Sequence, residues 1–309
     1  MDNTITLSEL ESYFKDEDSA RDFLEKLRWP EQPVCPHCGS INDHYHIEGK
    51  EGSKKPSRKG LWKCKDCRQP FTVTIGTIFE DSHVPLHKWL YALYLMIASK
   101  KGISAHQLHR MLGVTYKTAW FMAHRLRHSM TDDKPLSEKM SGIIEADECY
   151  VGGKGRGVGK KHCGRGTLKA PVVALVERDG RVKSKHIDRV TSANLKGIIR
   201  ENVETTSTIM TDDLYLYHGL DKEFYAHKVV EHSKKIYSKP GGIHTNTIEG
   251  YFGILKRGIN GVYQHVSKGH LQKYLSEFDF RYNSRKITDA ERAILALKGI
   301  EGKRLTYRG

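Results

Sequence analysis

No apolar run in this sequence is long enough to cross a bilayer: the longest, Trp89 to Ala98, falls well short of the about 20 residues a spanning helix needs. Nor does the start, M-D-N-T-I-T-L-S-E-L-E, carry a basic stretch followed by an apolar core, so no secretory signal is read and a cytoplasmic location is expected. Cysteine is scarce, six in 309 residues, which excludes a disulfide scaffold. Acid is in short supply: 37 Asp and Glu stand against 51 Lys and Arg, a net charge of +14. That imbalance favours a polyanionic partner, with nucleic acid ahead of a membrane surface. A nucleotide-cradling loop is missing too, because Gly159-Lys160 is followed by Lys161 where Ser or Thr is required, and Lys154 stands five before Gly159. ATP is therefore not implied. No Ser-His-Asp or Cys-His arrangement presents itself, and no internal repeat. With 38% hydrophobic and 28% charged residues, what remains is a soluble globular chain, long enough for two domains or one large domain with an appendage.

Four segments separate by pattern. Leu7 to Trp29 sets Leu7, Leu10, Phe14, Phe23 and Leu24 among acidic residues and predicts one or two short helices. Val34 to Thr77 holds paired cysteines, a basic connector K-K-P-S-R-K-G, and Phe71, Val73 and Ile75 alternating as in a strand. His83 to Met130 is strongly helical, and Gly113 breaks its second stretch into two short helices, as in a helix-turn-helix. A polar connector, T-D-D-K-P-L-S-E-K, follows, and from about Gly142 the character changes. Strands are expected at Ile143 to Val151, Pro171 to Val176 and Val182 to Val190, then a helix at Ala193 to Val203. A strand at Thr208 to Met210 runs into Thr211 and Asp212, a strand-like F-Y-A-H-K-V-V-E-H comes next, and helices close the segment at His244 to Arg257 and His270 to Tyr282. Three strands able to form a meander, a helix, then strand and helix make an α/β order. The stretch V-G-G-K-G-R-G-V-G-K-K-H-C-G-R-G between the first two strands is expected to be a loop.

Cys35-x-x-Cys38 and Cys64-x-x-Cys67 supply two knuckles of two thiolates each, a closed tetrahedral Zn²⁺ site with no open catalytic position. Cys149 and Cys163 lack partner spacing. In the helix-turn-helix, Thr115 can cap the second helix, Ala119, Met122, Ala123 and Leu126 are expected to face inward, and Lys117, His124, Arg125 and Arg127 to face DNA.

Carboxylates carry the remaining chemistry. I-I-E-A-D-E-C-Y-V-G-G puts Glu145 and Asp147 on one strand face and Glu148 on the other, and T-S-T-I-M-T-D-D ends an apolar strand with Asp212 and Asp213. Asn246, Glu249 and Lys256 share a helix face, while Asn246 and Glu249 also outline a capping box with Asn246 as cap. Acids on three separate elements offer hard oxygens suited to Mg²⁺ or Mn²⁺, and two such ions can drive phosphodiester chemistry without a nucleophilic side chain.

Together, C-P-H-C-G, W-K-C-K-D-C-R-Q-P-F-T-V-T-I-G-T-I-F, E-A-D-E-C-Y-V-G-G-K, T-D-D-L-Y-L-Y, H-T-N-T-I-E-G-Y-F-G-I-L-K-R-G and F-D-F-R-Y-N-S-R resemble the bacterial DDE insertion-sequence transposases of the ISXO group, from about Phe23 to Arg285. The resemblance implies N-terminal helices and a zinc ribbon over 1–80, a helix-turn-helix over 81–132 and an RNase H-like α/β catalytic domain with a C-terminal helix over 133–309. It assigns Asp147, Asp212 and Glu249 to the catalytic metal, Mg²⁺ or Mn²⁺. Lys256 then matches the basic companion of the triad, contacting DNA phosphate, with Arg257 beside it. Glu145 is left open as a supporting group, and Asp213 should point elsewhere. The implied activity is cleavage of element ends and transfer of their 3′-hydroxyls to target DNA, by a nucleoid-associated homodimer or higher oligomer on DNA. Two rivals remain: an RNase H-like nuclease that cuts without joining, and a zinc-ribbon regulator whose acidic domain is catalytically dead.

Overall fold

The computed structural model describes residues 7–42, 44–48, 59–131, 139–152 and 169–305. The glycine- and lysine-rich loop with Lys154, Gly159 and Cys163 lies outside them, as do most of the basic and polar connectors. The chain forms two compact units, one from residues up to Ser99, Ala105–Met130 and Ile287 onward, the other from Lys100–Ser104 and Thr131–Lys286.

The first unit begins with helices α1 (Leu7–Tyr13) and α2 (Glu17–Arg28). Asp16 caps α2 by accepting from the Ser19 N–H at 2.8 Å, and Ala20 and Leu24 form its buried stripe. Three short antiparallel strands follow in the order β1 (His44–His46), β2 (Trp62–Cys64), β3 (Pro70–Phe71). The strand expected to run on through Val73 and Ile75 stops at Phe71. The next peptide groups curl into turns, and Arg28 Nη1 donates to the carbonyls of Val73 (2.7 Å) and Ile75 (2.9 Å), which a ladder would otherwise use. Helix α3 (Leu86–Ala98) is buried around most of its circumference, and α4 (Ala105–Leu112) and α5 (Tyr116–Ser129) follow. Gly113 takes φ = 60°, a left-handed value that reverses the chain between them without a Cβ penalty. Thr115 caps α5 as expected, accepting from the Thr118 N–H at 3.1 Å.

The second unit is a five-stranded mixed sheet. Strands β4 (Ile143–Val151), β5 (Ala170–Glu177) and β6 (Val182–His186) form the antiparallel meander, and the last is shorter than the expected run to Val190. Helix α6 (Ser192–Asn202) then crosses over to β7 (Thr208–Asp212), which lies parallel to β4, with β8 (Ala226–Val230) parallel to β7. The order β6-β5-β4-β7-β8 is the RNase H-like arrangement. A small hairpin, β9 (Ser238–Lys239) and β10 (Ile243–His244), leads into α7 (Asn246–Gly258), a short π-helical stretch and α8 (Lys268–Asn283).

Alternation along β4 divides the core. Ile144 and Ala146 pack with Leu195 and Ile199 of α6 on one face of the sheet, while Cys149 and Val151 pack with Ile248, Leu255, Leu275 and Phe278 of α7 and α8 on the other. Burying each such aliphatic side chain stabilises the unit by about 1.5–3 kcal/mol. The outer edge of β6 is covered by side chains of α8 spaced along one face. Asp279 accepts from the Ser184 N–H (2.8 Å), Asn283 from Val182 N–H (2.6 Å) and Gln272 from His186 N–H (2.9 Å), so the edge offers no free ladder to another chain. Gly258 permits close packing here, since a Cβ would lie 2.3 Å from Phe278 Cζ.

The helix ending at Tyr282 is not the last. A further helix, α9 (Asp289–Lys298), packs on α3 and groups with the first unit, apart from the rest of the catalytic domain expected over 133–309. Its start is marked by a capping box between Thr288 and Glu291, and Ala296 and Leu297 are its buried residues.

Candidate active site and metal centre

The four paired cysteines converge. All four Sγ atoms lie within 4.8 Å of one another, with Cys35–Cys67 and Cys38–Cys64 each at 3.7 Å. A tetrahedron with Zn–S bonds of about 2.3 Å has edges of about 3.8 Å, so the set fits zinc as it stands. Gly39 (φ 74°) and Arg68 (φ 60°) take left-handed conformations just beyond each knuckle and close it. Burial works to raise the Cys64 thiol, but the backbone N–H groups of Cys67 and Asp66 and the neighbouring thiols outweigh it and hold Cys64 at about 6. A thiolate is what a metal requires.

The acids assemble at the sheet. Ile143, Ile144 and Glu145 of β4 pair with Thr208, Ile209 and Met210 of β7, and two residues further along the same register come Asp147 and Asp212. Burial first, then the charges of Asp212, Glu148 and Glu249, pushes the Asp147 carboxyl well above its ordinary value, while the Glu148 N–H, at 2.8 Å from Oδ1, pulls the other way. The three assigned acids therefore share one electrostatic field, although among the described residues only the cysteines draw their ligand atoms within 4.8 Å. Mutually repelling carboxylates with hard oxygens suit a divalent cation.

Their neighbours have distinct roles. Glu148 faces the other side of the sheet and accepts from the Tyr217 hydroxyl at 2.9 Å. Asp213 is turned toward the Ser233 hydroxyl, as expected of it. Asn246 does not cap α7: it is the first helical residue, the cap position is Thr245, and no capping box forms. The Thr245 hydroxyl instead lies 3.4 Å from Glu249 Oε1. His232, just past β8, places Nε2 3.7 Å from that same carboxylate. The sequence reading missed His232, although its place beyond the carboxyl end of a parallel strand, where α/β folds gather ligands, marks it.

Lys256 and Arg257 are exposed on α7. Lys256 Nζ lies 5.9 Å from the Phe252 ring centroid, and its charge opposes the burial that pushes the Cys149 thiol up to about 12, which sets it near the acid-bearing face of β4. Arg257 Nε donates to the Gly253 carbonyl at 3.0 Å.

The basic set on α5 needs correction. Lys117 is exposed, but His124 and Arg127 are 0% and 2% exposed and cannot present their side chains to a duplex. Arg125 is spent on carbonyls, donating to Ile78 (3.0 Å), Glu80 (2.9 Å) and Leu305 (3.1 Å), and burial lowers its pKa. Ala119, Met122, Ala123 and Leu126 are buried as expected. The exposed side of the two helices carries His106, Gln107, Arg110, Tyr116 and Lys117, with His106 stacked on Tyr116 at 4.2 Å.

The ISXO2-like transposase domain family matches residues 139–283, and the transposase zinc-ribbon domain family residues 15–70. A protein in transposable element ISH50 of Halobacterium salinarum is 30% identical over 284 residues, covering 87% of this chain and 91% of that protein. A transposase-like protein of Haemophilus influenzae is 31% identical over 101 residues, 33% of this chain and 80% of that one. Among solved structures, the simian T-cell lymphotropic virus intasome in complex with PP2A regulatory subunit B56 gamma aligns with a TM-score of 0.28 and 14% identity, over 60% of this chain and 64% of that one. A pre-cleavage Mos1 transpososome aligns at 0.24 and 12%, over 94% and 92%. These remote likenesses add nothing to what the sheet order shows.

Proposed function

The chain belongs to the ISXO2-like transposase family, and we propose that it cuts DNA at the ends of an insertion sequence and joins the freed 3′-hydroxyls to target DNA. The observation that carries this is the register that sets Asp147 of β4 beside Asp212 of β7, with Glu249 of α7 near enough for its charge to reach Asp147. These three would hold Mg²⁺ or Mn²⁺, which when bound activates water and stabilises the departing oxygen of a phosphodiester. In the first step water attacks phosphorus and the P–O3′ bond breaks, leaving a 3′-hydroxyl and a 5′-phosphate. In the second that hydroxyl attacks a target phosphodiester, whose own 3′-oxygen leaves.

Lys256, exposed on the acid-bearing helix, offers a phosphate contact that keeps the scissile strand against the carboxylates. Arg257 beside it adds charge, and Lys117 on α5 contacts the backbone of a bound duplex. Zinc holds the ribbon and takes no part in the chemistry. Two ends must be held together, so the protein works on DNA as a dimer or larger assembly.

The test is joining. Pre-cut DNA carrying the gene's own flanks, incubated with a supercoiled plasmid and Mg²⁺, is expected to yield covalent flank–plasmid products. Cutting of intact flanks with no joined product would establish the nuclease alternative instead.

A further inference from the structure

Helix α7 lacks a cap of its own, and what replaces it comes from across the sheet. Glu145 of β4 is 0% exposed, and its Oε2 accepts from the Ile248 N–H at 3.0 Å, where a cap side chain would ordinarily bond. Its Oε1 accepts from the Thr247 hydroxyl (2.9 Å) and from Arg178 Nε (2.8 Å), with His244 Nδ1 at 3.3 Å. Arg178, just past β5, spreads the rest of its fork over neighbouring elements. Nη1 donates to Gly242 O (2.7 Å), and Nη2 to His244 O (2.9 Å) and Met210 Sδ (3.1 Å).

The places this pair touches are not scattered. Glu145 is two residues before Asp147, Met210 two before Asp212, and Ile248 one before Glu249. One ion pair, its carboxylate buried and its guanidinium partly so, thus binds each acid-bearing element a step below its acid. Stability alone gives no reason for it, because a buried pair is commonly replaceable by apolar residues at no loss. A carboxylate at the N-terminus of α7 is also well placed against the helix dipole.

We infer that the Glu145–Arg178 pair is a positioning device that fixes the elements bearing Asp147, Asp212 and Glu249 relative to one another, so that three mutually repelling carboxylates stay near enough for a divalent cation to draw together. The inference rests on the metal-dependent chemistry proposed above. Its residues touch the acid-bearing elements, not the substrate, and act through the acids.

The test compares full-length wild type with Glu145→Gln, which keeps the shape but not the charge, and Arg178→Lys, which keeps the charge but not the fork. Thr247→Val, which loses a single hydrogen bond, serves should the first two fail to fold. Mn²⁺ binding is read by calorimetry, with zinc retained in the ribbon, and flank cleavage is read against Mn²⁺ concentration. The expected result is a rise in half-saturating Mn²⁺ of about tenfold for the charged-pair variants and a smaller rise for Thr247→Val, with the rate at saturating metal little changed. Ile198→Val, a core change on the opposite face of the sheet, should lower Tm without moving half-saturation. Folded variants that bind Mn²⁺ as wild type does would overturn the positioning role alone. A wild type that neither binds Mn²⁺ nor cuts would overturn the reading beneath it as well.

Discussion

Asp147 shows what one residue contributes before any metal arrives. Burial and the charges of Asp212, Glu148 and Glu249 raise its carboxyl above the ordinary 3.8, so the folded protein holds this proton more tightly than the unfolded chain does. Its contribution to stability is complete below that ordinary value and is lost as pH rises through the folded one. Asp147→Asn removes the penalty. With zinc in the ribbon and no other divalent ion added, the variant is expected to melt above wild type at pH 8, and the gap should close toward pH 4. A gap that stayed constant with pH, or opened in the acid direction, would contradict the electrostatic picture of the site. Strand alternation alone sets Glu145 and Asp147 on one face, and β4 has the expected bounds. The sequence left Glu145 open, because nothing local to I-I-E-A-D-E-C-Y announces an arginine 33 residues on or a helix end 103 residues on.

At the scale of elements, periodicity worked where one face of a helix or strand meets a single neighbour. β4, β7, α6 and α7 stand within a residue or two of their expected bounds. It failed where a polar side chain is drawn inward. The wheel of α5 finds the apolar stripe of Ala119, Met122, Ala123 and Leu126, but cannot say that backbone carbonyls of Ile78, Glu80 and Leu305 wait for Arg125. It failed again at α9, a helix the sequence reading did not foresee, whose packing on α3 is a contact of a range that leaves no local periodic mark. A contrast within α5 follows. Lys117→Ala should weaken DNA binding evenly across sequences and reduce the salt slope by about one, with Tm unchanged. Arg127→Ala, stripping a side chain that is 2% exposed, should lower Tm. Binding titrations at several salt concentrations beside a thermal melt decide it, and a salt slope that moved with Arg127 but not Lys117 would restore the original assignment.

The whole molecule is two compact units with unlike stabilisation: a ribbon-bearing helical unit that closes around four thiolates, and a sheet whose apolar layers need no metal. Structural zinc is folding free energy. Cys64→Ser should therefore shed zinc and lower one of two calorimetric transitions while the other holds its place; a single transition shifted as a whole would contradict independent units. Among the described residues no helix is long and apolar enough to cross a membrane. On paired element ends, light scattering is expected to show at least a dimer, and a strictly monomeric particle would count against synapsis of two ends.

We propose that Asp147, Asp212 and Glu249 hold the metal at which DNA is cut. The most direct measurement incubates wild type and Asp147→Asn with labelled DNA carrying the gene's own flanks and Mg²⁺, and maps the ends. The account predicts discrete, metal-dependent 3′-hydroxyl ends that the variant loses while still binding the same DNA. Specific binding without any cut, or cuts that survive Asp147→Asn unchanged, would contradict it.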